Sequence, residues 1–86
     1  MARYISLHTL GCLPKPAFVT LCTKLFASSG VRVCRIVAGQ IGEKMLIEFD
    51  ASSAESAQAW LAANKLIPQW LLRIDYESAD GAVHAL

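Results

Sequence analysis

A chain of 86 residues supplies one small domain, and at that size folding hides only about 60–65% of the unfolded surface. Yet 55% of the residues are hydrophobic and 17% charged, more apolar material than one such core readily covers, which predicts a homodimer or larger assembly. The eight Lys/Arg and seven Asp/Glu are interspersed and net +1, which excludes the basic block of a nucleic-acid binder, and no run approaches the ~20 apolar residues of a membrane span.

Residues 3–10, RYISLHTL, alternate with period two and read as a first strand. Ile5 and Leu7 fall on one side, Tyr4, Ser6 and His8 on the other. The first pair is expected to face the core. GCLPKP follows as a bend: Gly11 eases the turn, Pro14 biases Leu13 toward extended backbone, and Pro16 suits a first helical turn. In PAFVTLCTKLFASSG, Phe18, Leu21, Cys22, Leu25 and Phe26 recur along one helical face, and Gly30 suits the residue past the end.

VRVCRIVAG is β-branched and alternating, a second strand with Val33 and Val37 inward and Arg32, Cys34 and Ile36 outward. GQIGE reads as a hairpin loop. KMLIEFD is a third strand with Met45, Ile47 and Phe49 inward and Leu46 and Glu48 outward. In SSAESAQAWLAANKL, Ser52 and Glu55 match a capping box, and Ala57, Trp60, Leu61 and Asn64 share a helical face. Pro68 ends that region. QWLLRIDYE is a fourth strand, Leu72 and Ile74 inward, Leu71 and Arg73 outward. The last nine residues, SADGAVHAL, form a small-residue tail that is either frayed or borrowed by a partner.

The order β-α-β-β-α-β predicts a ferredoxin-like α+β sandwich over the whole of residues 1–86, with its core at about 3–77 and its tail at 78–86. Its four-stranded antiparallel sheet carries both helices on one face, because right-handed crossovers place them there. The other face, with Tyr4, His8, Arg32, Glu48 and Arg73 among apolar neighbours, is the expected dimer interface and ligand pocket. Those five residues are the candidate ligand-binding set, and His8 and Glu48 the candidate proton carriers.

His8 and Cys12 invite a metal reading, but zinc sites need three or four convergent ligands, so no metal and no cofactor is expected. A Cys12 thiol activated near a helix N-terminus is the other chemical reading of the bend. Three cysteines without framework spacing suit reduced thiols. With no apolar run of signal length in MARYISLHTL, they point to the cytoplasm.

The segment PKPAFVTLCTKLFASSGVRVCRI resembles the first half of ACT-type regulatory domains, a likeness that implies amino-acid binding at paired-domain interfaces near the bend. The stretch from Tyr4 to Tyr76, with MLIEFDASSAESAQAWLAANKL at its centre, resembles the small dimeric α/β-barrel proteins. That likeness implies two sheets packed face to face around a cleft. The expected function is a small-molecule-binding or sensing homodimer. The alternatives are a cofactor-free isomerase or oxygenase of the dimeric-barrel kind, and a non-catalytic assembly module.

Overall fold

The computed structural model describes residues 1–86. In chain order the elements are β1 (Ala2–Thr9), α1 (Lys15–Ala27), β2 (Arg32–Gly39), β3 (Lys44–Ala51), α2 (Ala54–Ala63), β4 (Trp70–Ile74), β5 (Tyr76–Glu77) and β6 (His84–Ala85). The first four strands to pair form one antiparallel sheet in the order β2-β3-β1-β4. This is the ferredoxin-like α+β arrangement. No helix is long and apolar enough to cross a membrane.

Helix α1 starts where its prolines allow, with Pro14 extended at the N-cap and Pro16 in the first turn. It ends earlier than expected. Ser28, not Gly30, caps it, and the Ser28 hydroxyl donates to the Leu25 carbonyl at 2.6 Å. Gly30 takes up a left-handed φ of 97° in the following turn, a conformation that costs glycine little. Leu25 is buried and Phe18 and Leu21 pack on the core, whereas Phe26 is exposed. Helix α2 is capped by Ser53, whose hydroxyl accepts from the Ser56 amide at 3.1 Å. The expected Ser52–Glu55 box is therefore displaced by one residue, and Ser52 instead shares a hydrogen bond with the Ser56 hydroxyl.

The core lies between the helices and one sheet face: Tyr4, Leu25, Met45, Ile47, Phe49, Ala51, Ala57, Trp60 and Leu61. Tyr4 stacks on Phe49 with ring centroids 6.0 Å apart, and Phe49 lies 4.9 Å from Trp60. The Trp60 indole N–H donates to Ser28 Oγ at 2.8 Å, so the largest core side chain also ties α2 to the end of α1.

Strand β3 faces as expected, but its neighbours correct the reading of the sheet. Tyr4 pairs with Phe49, Ser6 with Ile47 and His8 with Met45. All three residues of β1 are buried beneath the helices, and Ile5 and Leu7 lie on the open side. Strand β4 is inverted for the same reason of register. Leu71 opposite Ser6 packs on the core, while Trp70, Leu72 and Ile74 pair with Leu7, Ile5 and Arg3 on the open side. In β2 a bulge between Val33 and Arg35 inserts an extra residue, so Val33 and Ile36 both face the core and Val37 does not. Residues 69–77 do not form one strand. The chain breaks at Asp75, and the tail folds back as a β5–β6 hairpin closed by the Leu86 amide on the Asp75 carbonyl at 2.9 Å.

Candidate functional site

With both helices on one side, the opposite sheet face is uncovered. Its middle is apolar: Ile5 and Leu7 from β1, Val37 from β2, Leu46 from β3, and Trp70, Leu72 and Ile74 from β4. Trp70 and Leu72 keep 45% and 54% of their surface exposed. Soluble domains rarely leave apolar fields of this kind uncovered.

One end of the field is ionic. Arg3 and Arg32 both stand opposite Asp50 in the strand register. Arg3 Nε donates to Asp50 Oδ1 at 2.6 Å, and Arg32 donates to Asp50 Oδ2 through Nη2 at 2.9 Å and Nε at 3.2 Å. The Arg3 hydrogen bond, helped by that of Arg32, overcomes the opposing effect of partial burial and holds the Asp50 carboxyl at about 2. Arg3 also reaches Glu48 at 3.4 Å. Cys34, in the bulge, brings its thiol to 3.7 Å from Asp50, and burial pushes that thiol up, away from the thiolate form. At the far end Lys44 donates to Thr9 Oγ1 and Gln69 Oε1 at 3.2 and 2.9 Å.

Between the apolar field and the ionic end is a cavity of about 170 Å³ lined by Ile5, Arg35, Val37, Leu46 and Glu48. Arg35 stands opposite Glu48 in register, yet Glu48 gives its carboxylate to Arg3, and Arg35 enters no ion pair. A larger hollow of about 430 Å³ lies beside the end of α2, against Leu61, Leu66, Ile67 and Pro68, but Lys65 is its one charged side chain. The sheet-face cavity is where an apolar floor meets two opposite charges.

Of the five residues expected to line a pocket, the structure brings Arg32 and Glu48 onto this face, joined through Asp50 and Arg3. Tyr4 and His8 lie beneath the helices, and Arg73, in register with Tyr4, projects to the helix side of the outer strand and not the open face, paired with Asp75 at 3.2 Å. His8 is 2% exposed; its Nε2 shares a 2.7 Å hydrogen bond with Ser6 Oγ. Burial lowers its pKa against a smaller opposing effect of the Ile67 main chain, and the buried Nδ1 has no hydrogen-bond partner. Cys12 is exposed, with its thiol 3.6 Å from Glu43. The two residues of the bend thus have separate partners, and His8 and Glu48 occupy opposite faces of the sheet.

Sequence reasoning missed Arg3, Arg35, Asp50, Ile5 and Val37. Period two separates Arg32 from Arg35, and only a bulge lets both face the acidic residues of β3. The available signal was charge: two arginines three apart, facing a strand whose outward positions are Glu48 and Asp50.

No protein-family model and no curated protein sequence matches the chain. Among solved structures it is similar to the crystal structure of SCO4226 from Streptomyces coelicolor A3(2). The TM-score is 0.78 at 11% sequence identity, covering 90% of this chain and 100% of that one. At that identity the likeness shows the fold alone.

Proposed function

We propose that this protein is a small-molecule-binding homodimer whose ligand sits on the open sheet face, between the two copies. The observation that carries the reading is the uncovered apolar field from Ile5 to Leu72 with a charged cavity at its edge. Removing such area from water favours association roughly in proportion to the area buried. The cavity alone, at about 170 Å³, is smaller than the ~300–1,000 Å³ of ordinary ligand sites, as suits a compact ligand that a second copy helps to cover. The splitting of His8 and Glu48 between faces favours binding over proton transfer by that pair, because a general acid or base must reach the reacting atom.

Light scattering on the eluting protein is expected to give twice 9.3 kDa at micromolar concentration. Leu46→Lys should give a folded monomer, since the ammonium would lie unpaired in the interface. A wild-type chain that elutes as a monomer overturns the dimer. Native mass spectrometry of the purified dimer then reads any ligand it retains as a mass increment.

A further inference from the structure

The charges around the sheet-face cavity do not balance. Arg3, Arg32 and Arg35 face two carboxylates, Glu48 and Asp50. Both oxygens of Asp50 are taken by Arg3 and Arg32, and Glu48 is within 3.4 Å of Arg3. Arg35 remains, over a floor of Ile5, Val37 and Leu46. In an isolated chain water solvates it. In a closed interface an unpaired guanidinium is unfavourable, so a site assembled there favours one more negative charge.

We propose that this cavity binds a small monocarboxylate with an apolar body, its carboxylate on Arg35 and its body over Ile5, Val37 and Leu46. The inference rests on the reading of the open face as a ligand-bearing interface. Three observations select the class. The guanidinium fork matches a carboxylate with two parallel hydrogen bonds. Glu48 on the same rim repels a second negative charge, which disfavours dianions such as phosphate. The small volume, bounded by three aliphatic side chains, admits a compact apolar group rather than a polymer.

The test is calorimetric titration of the full chain with benzoate and hexanoate, each paired with its neutral amide, benzamide and hexanamide. At least one carboxylate should bind saturably and roughly tenfold or more tighter than its amide, because hydrogen bonds to a charged group are the stronger ones. Arg35→Gln should bring that carboxylate down to the level of its amide, and Arg35→Lys should restore part of the difference. Circular dichroism and light scattering on each variant check fold and assembly separately. The proposal is overturned if neither carboxylate binds, if acid and amide bind alike, or if Arg35→Gln leaves affinity unchanged. Carboxylate discrimination by a monomeric chain would leave this inference standing and remove the dimer; a dimer without discrimination would do the reverse.

Discussion

His8 is a titratable group in a place that suits only its neutral form: one ring nitrogen bonds Ser6, the other has no partner, and burial lowers its pKa from 6.5. Below that value the unfolded chain binds more protons than the folded one, so stability declines as the pH falls. The melting temperature is expected to hold above about pH 7 and to drop as the pH falls through 6.5 and below, where the unfolded chain takes up the His8 proton first. His8→Gln should flatten that part of the curve while lowering stability at neutral pH. A wild-type curve that is flat there, or an equally steep one for His8→Gln, would refute the assignment. The same residue explains why the faces of the first strand read backwards. Hydropathy ranks Ile5 and Leu7 as the inward pair. In the fold, Tyr4 gives its ring to Phe49 while His8 Nε2 and Ser6 Oγ share one hydrogen bond, so three side chains with polar atoms fill the layer beneath the helices.

At the scale of elements, the two adjacent serines before α2 make a sharp comparison. Ser53 holds the Ser56 amide, so Ser53→Ala should cost about 1 kcal/mol in urea denaturation. Ser52→Ala should cost less, because Ser52 is exposed and bonds a side-chain hydroxyl rather than a helix amide. The reverse ranking would restore the Ser52 cap. The alternation of strands and the 3.6-residue recurrence of Ala57, Trp60 and Leu61 were enough to derive the element order and the fold. Alternation alone does not say which side is inward, however, and register against β3 decided that for β1 and β4. The bulge at Val33/Arg35 is a backbone event with no composition of its own, so the inward and outward roles of Ile36 and Val37 were exchanged. For the candidate site, Glu48 and Arg32 were legible from a correctly phased third strand and the strand beginning. Arg35 lay past the bulge and was not.

For the whole molecule, the edges of the sheet matter as much as its face. Strand β2 is interrupted by the bulge, and β4 runs only from Trp70 to Ile74 before the chain turns off at Asp75. Irregular and short edges pair poorly with other chains, which leaves the open face as the better route to self-association. The placement of the two tryptophans turns this into a spectroscopic property. Trp60 is sealed against Phe49 with its N–H on Ser28, whereas Trp70 stands half-exposed on the open face. Indole emission shifts to the red as water reaches the ring, so the two residues report different events. Dilution through the dissociation range of the proposed dimer should red-shift the Trp70 component alone, and denaturant should shift both. Trp70→Phe should abolish the response to dilution and keep the response to denaturant; a dilution shift that survives in Trp70→Phe would place the subunit contact away from this face. The chain therefore carries one sealed and one half-exposed intrinsic fluorophore, so folding and the proposed association can be read apart without a label.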